Sequence, residues 1–471
     1  MDKTQKEIPF RISILPIIVM AVLMGVTIIG FEGSPHVPLI IGSVCAGLIA
    51  WKYGYSFEEI ENGIYDGIRL ALPAVLILMT VGMIISTWIG GGVVATMIYY
   101  GLKMISPSLF LMSIFLLCSI VSLAIGSSWS TMGTIGVAGM GIGMSMGLPA
   151  PMIAGAIISG SYFGDKMSPF SDTTTLAAGV TETDLFEHIK HMAFTTIPGF
   201  IIALLVYLFF GFQYQLTGAN TEEIQLIMAI LEGQFTISPW LLLIPAAVIF
   251  LVIQKVPTLP ALLIGVLLGW ICQITVQGGD LAGSIHAIYD GFSIETGNAF
   301  VDELFNRGGI GNMMYTISLV IVAMTFAGVL EATGMLRSIV NQILKVAKSA
   351  KSLIPATIFT SFLTNVVAAE QYVSLLLPGR MFNDAYKEKN LHSKNLSRAL
   401  EDGGTLTSPF VPWNTCGVYI TATLMVSPWE YAPYAVLNYV VPLIGILFGI
   451  IGFKVEALKK PQTTSSLVQT K

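Results

Sequence analysis

Residues 160–175 read GSYFGDKMSPFSDTTT, and they combine features found in neither an ordinary loop nor a plain membrane helix. Pro169 and the flanking glycines prevent a continuous helix and release backbone carbonyls from helical hydrogen bonding. Two acids and several hydroxyls share the stretch, which lies between an apolar segment at 149–160 and an amphipathic one at 182–191. Irregular backbone is stable at membrane depth only where it is buried or lines a wet cavity. We therefore predict an interrupted membrane helix at a transport site; the alternative is an extramembrane loop with Asx and Ser/Thr turns.

The composition of the whole chain supports the membrane interpretation. Of 471 residues, 11% are charged and 54% hydrophobic, whereas soluble chains carry about 25% charged residues. The net charge of -5 offers no basic surface to nucleic acid. The four cysteines are isolated in apolar stretches, so neither a disulfide framework nor a zinc site is predicted. These features predict an all-α polytopic membrane protein in a lipid bilayer and exclude a soluble enzyme, a nucleic-acid binder and a disordered scaffold.

Apolar runs long enough to cross about 30 Å of hydrocarbon recur along the chain. The clear spans are 12–30, 37–51, 70–89, 108–126, 190–212, 239–254, 257–276, 313–332 and 433–453. Segments 130–181, 353–382 and 400–427 are apolar but interrupted by Gly, Pro, Ser and Thr. We expect about ten to twelve transmembrane elements, with the transport site in the interrupted segments.

Basic residues flank the first and last apolar runs, which predicts cytoplasmic termini. These residues are Lys3, Lys6, Arg11, Lys454, Lys459 and Lys460. The first run has no convincing cleavage site and is interpreted as a retained span. Two further basic loops are predicted at 337–351 and 380–398. If both are cytoplasmic, residues 352–379 form a re-entrant hairpin; one exception to the rule would make them an ordinary span.

A weak internal repeat divides the chain. Residues 65–67 (YDG) recur at 289–291, and residues 168–175 (SPFSDTTT) are echoed by 408–415 (SPFVPWNT), at offsets of 224 and 240 residues. Coincidence in a biased composition is the alternative. Secondary transporters show two homologous halves with interrupted helices in matching places, so we predict two weakly homologous, inverted halves. The predicted divisions are a first half at 1–215, a connecting segment at 216–236, a second half at 237–456 and a cytoplasmic tail at 457–471.

The acids and hydroxyls of residues 160–175 predict a site for a small hard cation such as Na⁺, because such ions prefer oxygen ligands. A desolvated carboxylate binds a cation when ionised and is neutral when protonated, so one Asp holds Na⁺ or H⁺ but not both. Asp165 and Asp172 are the leading carboxylates. Lys166 either pairs with Asp165 as a structural element or has a role in transport.

Two segments of the second half add further ligands. Residues 364–371 read TNVVAAEQ, and residues 401–415 read EDGGTLTSPFVPWNT. We predict Glu370 or Asp402 as the second acid, although Glu401 and Asp402 could instead be solvated at a membrane boundary. The motif alignment places Asn414 where Thr174 stands. The predicted coordinating residues are Ser168, Thr173, Thr174, Asn365, Thr405, Ser408, Asn414 and Thr415. Na⁺ would be cargo at these residues, and no cofactor is predicted.

Other classes of membrane protein fit the sequence less well. A primary pump would need a GxxxxGK[ST] nucleotide site, and none is present. The HExxH motif of membrane-embedded proteases is also missing, and the GxSxG string at residues 143–147 lies within a run of closely spaced glycines. An intramembrane enzyme remains a remote alternative. A channel would use rings of ligands from an oligomer. Two different acidic half-sites in one chain favour a carrier. His188 and His191 are predicted as surface residues of an amphipathic segment.

The chain resembles the NhaC family of Na⁺/H⁺ antiporters over nearly its whole length. The blocks that carry the resemblance are GSSWST at 126–131, residues 160–175, TNVVAAEQ at 364–371 and EDGGTLTSPFVPWNT at 401–415. The resemblance implies exchange of external H⁺ for internal Na⁺ across a bacterial inner membrane. It implies site roles for Asp165, Ser168, Asp172, Thr173, Thr174, Asn365, Glu370, Asp402, Thr405, Ser408 and Asn414.

The family also contains carriers that exchange malate and protons for lactate and Na⁺, so the resemblance leaves the substrate open. A carboxylate substrate needs a binding group, and buried Arg is scarce in the sequence. Helix N-termini at the interrupted segments could bind it through backbone N–H groups instead. The predicted function is therefore Na⁺/H⁺ antiport by alternating access, with malate/lactate-coupled exchange as the alternative. A homodimer is one assembly that the sequence leaves open.

Overall fold

The computed structural model describes residues 7–31, 33–104, 106–218, 221–347 and 349–458, and these ranges are dominated by helices. Their only β contact is an isolated bridge between Leu391 and Ala457. The described helices long and apolar enough to cross a membrane are Phe10–Ile28, Phe57–Gly90, Pro107–Ile125, Leu185–Gln213, Thr258–Thr275 and Ile310–Ala332. Helices Ile224–Gln234 and Pro239–Ile253 form a pair bent by 96°. The prediction of an all-α polytopic membrane protein is confirmed.

By length and apolarity, six of the described helices could cross a membrane, or seven with the bent pair, against the ten to twelve elements expected. Four shorter apolar helices are also found among the described residues, and two of them coincide with the predicted spans 37–51 and 433–453. They are His36–Lys52, Val93–Met104, Thr415–Leu424 and Val436–Ile451. Each of the nine clear apolar runs coincides with a helix. Lys3, Lys6, Lys459, Lys460 and all of the predicted tail after residue 458 lie outside the described residues. The predicted division after residue 215 falls within helix Leu185–Gly218.

The 34-residue helix Phe57–Gly90 of the first half packs closely against Ile310–Ala332 of the second. Its start is fixed by a capping box, in which Ser56 and Glu59 satisfy each other's backbone N–H groups. Glycine permits the close approach further along: a Cβ added to Gly67 would lie 2.3 Å from the Met324 carbonyl oxygen. Small residues at such crossings let two membrane helices make backbone contact.

Two helical hairpins point into the protein. The first hairpin pairs Pro107–Ile125 with residues 128–145, and the second hairpin pairs Ala350–Ala368 with Gln371–Glu388. In the second hairpin, Thr357 Oγ1 and Tyr386 Oη lie 3.0 Å apart on opposite arms. Residues 352–379 therefore fold back on themselves, as the re-entrant alternative requires.

Residues in the left-handed region show that the two halves repeat with an offset of 243 residues. Gly126 and Ala369 occupy the two hairpin tips with φ of 76° and 54°. Gly147 and Asn390 follow the two hairpins, with φ of 82° and 55°. Glu182 and Met425 form a third pair, with φ of 54° and 59°. Since 126 to 369, 147 to 390 and 182 to 425 each differ by 243, the hairpins and the helices after them are equivalent elements.

Each half also contains a helix break. The first break, residues 168–171, separates Ala150–Met167 from Asp172–Val180. The second break, residues 401–414, separates Ser393–Leu400 from Thr415–Leu424 and contains a π-helical and a 3₁₀ turn. These breaks confirm that segments 130–181 and 400–427 contain interrupted helices.

The structural repeat corrects the alignment read from the sequence. Asn414 caps helix Thr415–Leu424 as Ser171 caps Asp172–Val180, so Asn414 is equivalent to Ser171 and not to Thr174. The SPF motifs are misleading because Pro169 lies two residues before its cap, whereas Pro409 lies five residues before its cap. The offset of 240 residues predicted from SPF is therefore three residues short.

Two predicted basic loops are largely helical. Arg337 lies in helix Met335–Val346, and Arg380 lies in the second arm of the second hairpin. Arg398 lies in helix Ser393–Leu400 and is completely buried. The basic residues of these segments lie in amphipathic or buried helices and not in loops. Counting charges along the sequence does not distinguish the two cases.

The last described residues, 454–458, form a terminal strap over the end of the second hairpin. Leu458 N–H donates to the Asn390 carbonyl at 2.8 Å, and His392 N–H donates to the Glu456 carbonyl at 2.9 Å. Glu456 also forms an ion pair with Lys394. Beneath the strap, Arg398 Nη1 donates to the Lys454 carbonyl at 3.2 Å. The strap therefore holds the start of the helix that leads into the second break.

Candidate functional site

The two hairpin tips and the first residues of the helices after the two breaks line one small central cavity, with a volume of about 130 Å³. Its polar lining comes from both halves and includes all three acids discussed below. The polar lining residues are Ser127, Ser128, Asp165, Asp172, Thr173, Thr258, Glu370, Gln371, Tyr372 and Thr415. Leu70, Pro73, Ala74 and Ile77 of the long helix Phe57–Gly90 add an apolar wall. The interrupted segments thus meet at one place, as predicted.

Asp165 is held rigidly at the end of helix Ala150–Met167. Its Oδ2 accepts hydrogen bonds from Ser128 Oγ at 2.7 Å and from Ser128 N–H at 3.2 Å. Its Oδ1 accepts from Ser171 Oγ at 2.6 Å. The first hairpin tip and the first break therefore both orient this buried carboxylate.

Asp172 opens helix Asp172–Val180 and is exposed, in contrast to Asp165. It lines the central cavity and also two wider outer cavities. Tyr372 Oη lies 3.5 Å from its Oδ2. Asp172 consequently stands where the central cavity meets the two outer cavities.

Glu370 is the buried acid that the second half contributes to the cavity. It caps the second arm of the second hairpin by accepting from Tyr372 N–H at 3.4 Å. Thr415 Oγ1 donates to its Oε2 at 2.7 Å. Thr415 N–H in turn donates to the carbonyl of Ala369 at the hairpin tip, at 3.0 Å. This side chain faces the cavity from the half opposite to Asp165.

At equivalent positions of the two halves, an acid in one half stands where the other half has a hydroxyl. With the 243-residue offset, Glu370 corresponds to Ser127, and Thr415 corresponds to Asp172. Asp165 corresponds to Ser408, whose hydroxyl donates to the Thr405 carbonyl at 2.9 Å. The backbone frame is therefore repeated while the charge is distributed asymmetrically.

The two asparagines lie behind the cavity and hold the second break. Asn365 Nδ2 donates to the Gly404 carbonyl at 2.6 Å, and Asn414 Nδ2 donates to Asn365 Oδ1 at 3.2 Å. The equivalent bond in the first half runs from Ser122 Oγ to the Ser161 carbonyl, at 2.6 Å. Asn365 and Asn414 therefore occupy framework positions and do not line the cavity.

The remaining predicted ligands divide between the cavity and the framework. Thr173 lines the cavity, and its Oγ1 lies 3.1 Å from Ser171 Oγ. Ser168 Oγ accepts from Phe170 N–H at 3.2 Å, and Thr174 Oγ1 donates to the Lys166 carbonyl at 3.0 Å. Ser168, Thr174, Thr405 and Ser408 are buried and lie outside the cavity lining.

Asp402 lies in a separate charged cluster. Lys166 Nζ is 2.9 Å from Asp402 Oδ1 and 4.0 Å from Glu401 Oε2, and all three side chains are completely buried. Thr195 Oγ1 also donates to Asp402 Oδ1, at 3.2 Å. The predicted partnership of Lys166 with Asp165 is wrong, because the lysine crosses to the other half. The solvated alternative for Glu401 and Asp402 is also wrong.

His188 and His191 are buried, so the prediction of surface histidines is wrong. Helix Leu185–Gly218 turns this face towards helix Ser393–Leu400 and the terminal strap. His191 Nδ1 lies 3.9 Å from Glu456 Oε1. The amphipathic pattern was correctly seen, but its polar side packs against protein.

Several cavity residues escaped prediction as ligands. Ser128 belongs to the polar island at 126–131, whose neutral side chains gave no reason to prefer it. Gln371 and Tyr372 follow Glu370, and Thr258 begins an ordinary apolar helix. The polar run at 126–131 could have indicated that Ser128 lies at the cavity. No feature of the sequence marks Thr258.

The arrangement suits a small monovalent cation. Among the described residues, no three Asp, Glu, His or Cys side chains converge as a metal-binding group. A cation in the cavity would meet carboxylate and hydroxyl oxygens. Hard cations prefer such ligands, and a low ligand charge favours release as well as binding.

Two repeated halves whose interrupted helices meet at an acidic internal cavity define a secondary transporter. The chain belongs to the Na⁺/H⁺ antiporter family, whose sequence profile matches residues 160–453. It is 40% identical to the Na⁺/H⁺ antiporter NhaC of Alkalihalophilus pseudofirmus, over 96% of this chain and 97% of that protein. The resemblance noted in the sequence is thereby confirmed.

Other relatives of similar identity carry names with organic substrates. The malate-2H⁺/Na⁺-lactate antiporter of Bacillus subtilis is 39% identical over 94% of each chain. The arginine/ornithine antiporter ArcD of Halobacterium salinarum is 36% identical over 97% of this chain and 95% of that protein. Membership of the family is therefore compatible with more than one kind of cargo.

Proposed function

We propose that the chain exchanges Na⁺ for H⁺ across the cytoplasmic membrane of a bacterium by alternating access. The observation that carries this proposal is the meeting of Asp165, Asp172 and Glu370 at one cavity lined by hydroxyls from both halves. A carboxylate that takes up a proton loses the charge that binds Na⁺, so the two ions exclude each other there. The names of the antiporter relatives support the same assignment and favour a transporter over an enzyme.

Within this proposal the three acids have different positions and therefore different tasks. Asp172, exposed at the mouth, receives the ion. Asp165, fixed by Ser128 and Ser171, is the buried carboxylate at which Na⁺ and H⁺ compete. Glu370 is the second acid and allows more protons than Na⁺ ions to be exchanged. Asp402 is neutralised by Lys166 and serves the framework.

The proposal is tested in everted membrane vesicles from an antiporter-deficient host, with respiration setting a pH gradient that a dye reports. We expect Na⁺ alone to collapse the gradient in wild-type vesicles and to have little effect in Asp165→Asn vesicles. Asp384→Asn is the matched control, because it makes the same change at an exposed carboxylate of the second hairpin outside the cavity lining. Failure of Na⁺ to act on wild type, or equal loss in both variants, would contradict the proposal.

The organic-acid alternative is tested in the same vesicles by adding Na⁺ together with malate and lactate on opposite sides. Collapse of the gradient only when the acids are present would assign coupled malate/lactate exchange. Cytoplasmic termini and a homodimer remain part of the proposed arrangement, and tag accessibility and crosslinking in the membrane test them.

A further inference from the structure

A seam of buried polar side chains runs between helix Leu185–Gly218 and helix Ser393–Leu400. One side of it is a single face of the first helix, because residues three or four positions apart share a helix face. The other side belongs to the helix that leads into the second break. This polar seam consists of His188, His191, Thr195 and Arg398, whose side chains are all buried.

The outer end of the polar seam reaches water at the terminal strap. The Glu456 side chain is 47% exposed, and its Oε1 lies 3.9 Å from His191 Nδ1. Lys394 pairs with the same carboxylate, and Arg398 and Asn395 also face His191 from their helix. Charged groups avoid lipid hydrocarbon, so this end of the protein faces water. A proton taken up at Glu456 is therefore one side chain away from His191.

The inner end of the polar seam lies directly behind the central cavity. His188 interacts electrostatically with Lys166, the residue that follows Asp165. Glu401, on the other side of Lys166, lies beside Thr173 of the cavity lining and interacts with Asp165. No residue of the seam lines either of the two outer cavities that meet at Asp172. The seam is thus a second approach to the site.

Polar atoms without a hydrogen-bond partner among the described residues are concentrated along this approach. They are both ring nitrogens of His188 and of His191, Nε and Nη2 of Arg398, Oδ2 of Asp402 and both carboxylate oxygens of Glu401. Buried polar groups are nearly always hydrogen-bonded, and exceptions in a native protein mark bound water or a functional role. A row of such atoms is typical of a path for protons and not of a packed framework.

The charges of this region suit proton transfer through neutral rings. The buried cations Lys166 and Arg398 are balanced by the buried acids Glu401 and Asp402. The two histidines lie next to the cations, Lys166 beside His188 and Arg398 beside His191. A neutral imidazole accepts a proton on one nitrogen and releases the proton of the other, which leaves the ring neutral with its tautomer exchanged. Such a ring passes a proton on without storing charge beside a cation.

We propose that His188 and His191 relay protons between water at the terminal strap and the carboxylate of Asp165. The inference rests on the proposed function, because it supplies the proton of that exchange by a route separate from the outer cavities. The proton passes from water at Glu456 to His191, then to His188, and through bound water beside Glu401 to Asp165. Asp165 releases Na⁺ when it becomes neutral. Each ring releases one proton for each proton that it accepts.

Two exchange reactions of the purified, full-length carrier in proteoliposomes test the relay. Exchange of radioactive Na⁺ for unlabelled Na⁺ uses the cation site and the alternating movement but transfers no proton. Exchange of Na⁺ for H⁺, followed with a pH dye, also needs the proton route. His188→Gln and His191→Gln replace each ring with an amide that does not take up protons.

We expect both variants to slow Na⁺/H⁺ exchange about tenfold or more and to keep Na⁺/Na⁺ exchange within about twofold, because a positioned proton-transfer group contributes about 10²–10⁴-fold to a rate. The slowing should deepen as the pH rises, since free protons become scarcer. His286→Gln is the matched control, because it makes the same change at an exposed histidine outside the polar seam, and it should leave both rates unchanged.

The outcomes separate the relay from the proposed function. Unchanged Na⁺/H⁺ exchange in both seam variants would overturn the relay and leave Na⁺/H⁺ antiport standing. Equal slowing of the two exchanges would also overturn it, because the histidines would then serve only the framework. Failure of the proposed function is a different result, in which the wild-type carrier itself performs neither exchange.

Discussion

Lys166 Nζ and Asp402 Oδ1 lie 2.9 Å apart in an ion pair that joins the two halves and has no exposed surface. Lys166 follows Asp165 of the cavity directly, and Asp402 lies in the π-helical turn of the second break. One buried cation therefore links the two interrupted helices immediately behind the site.

Neutralising one partner of this pair should be more damaging than neutralising both. Lys166→Met and Asp402→Asn should each lower the free energy of unfolding by about 3–5 kcal/mol, because each leaves a buried charge without its partner at 2.9 Å. Glu401, at 4.0 Å from Lys166, is the more distant acid and should compensate only in part. The double variant should recover a large part of that loss. Unfolding of the purified protein in detergent measures the three values, and additive losses in the double variant would show that the two side chains do not interact.

The serines that hold Asp165 should tune its affinity for Na⁺. Ser128→Ala and Ser171→Ala should each raise the half-maximal Na⁺ concentration for proton movement about two- to tenfold, because a hydrogen bond contributes about 0.5–1.5 kcal/mol. Thr325→Ala is the matched control, since that hydroxyl bonds only within its own helix. Unchanged Na⁺ dependence in both serine variants would remove Asp165 from the ion-binding role.

Glu370 should make the exchange sensitive to membrane potential. If it carries the additional proton, one net charge moves per cycle, and each charge couples about 2.3 kcal/mol per 100 mV to transport. Glu370→Gln should abolish the acceleration produced by a potassium diffusion potential in proteoliposomes, while Glu388→Gln, at the exposed end of the same helix, should retain it. Retained voltage dependence in Glu370→Gln would assign the extra charge elsewhere.

The crossing of the two long helices should not tolerate a side chain at Gly67. An alanine Cβ would lie 2.3 Å from the Met324 carbonyl oxygen, so the helices must separate. We expect Gly67→Ala to lower the free energy of unfolding by about 1–3 kcal/mol. Gly233→Ala, where nothing lies within 4 Å, should be neutral or stabilising by up to about 1 kcal/mol. Thermal unfolding of both variants compares them directly.

The terminal strap should loosen in acid. The hydrogen bond from Lys394 is the main cause that lowers the pKa of Glu456. The interaction between Glu456 and Lys394 therefore stabilises the folded protein fully above the ordinary Glu pKa of about 4.3. This stabilisation is lost as the pH falls through the lowered pKa of Glu456 in the folded state.

Hydrogen exchange at the amides of His392 and Leu458 reports on the strap, because both amides bond across it. Glu456→Gln should expose these amides already at neutral pH, and Glu187→Gln, at an exposed glutamate, should not. Equal protection of the amides in wild type and Glu456→Gln would show that the ion pair does not hold the strap.

Hydropathy located the apolar helices because lipid imposes long apolar helices on the sequence. Six of the described helices, or seven with the bent pair, are long enough to cross a membrane. The interrupted segments were found for a related reason: Pro169 and the neighbouring polar residues are incompatible with a lipid-facing helix. Asp165, Asp172, Thr173, Glu370 and Thr415 were named from the sequence and line the cavity together. Residue type and an apolar setting were sufficient to find these cavity-lining positions, and their role in ion binding stays a prediction.

The errors concern relationships that depend on tertiary packing. Lys166 is adjacent in sequence to Asp165 but is directed to Asp402, which comes 236 residues later. Asn365 and Asn414 have side-chain oxygens that could bind a cation, but their amide groups form hydrogen bonds that hold the second break. Composition gives the chemistry available to a segment and does not give the direction in which each side chain points.

The terminal strap makes the order of synthesis relevant to assembly. Residues 454–458 are translated after every other described residue, yet they supply the carbonyl that Arg398 Nη1 donates to and cover the helix that leads to Asp402. During biosynthesis the second break therefore lacks its final support until the chain is almost finished. The membrane insertion machinery and its quality control would therefore act on a carrier whose spans are inserted before the strap has made its contact with Arg398.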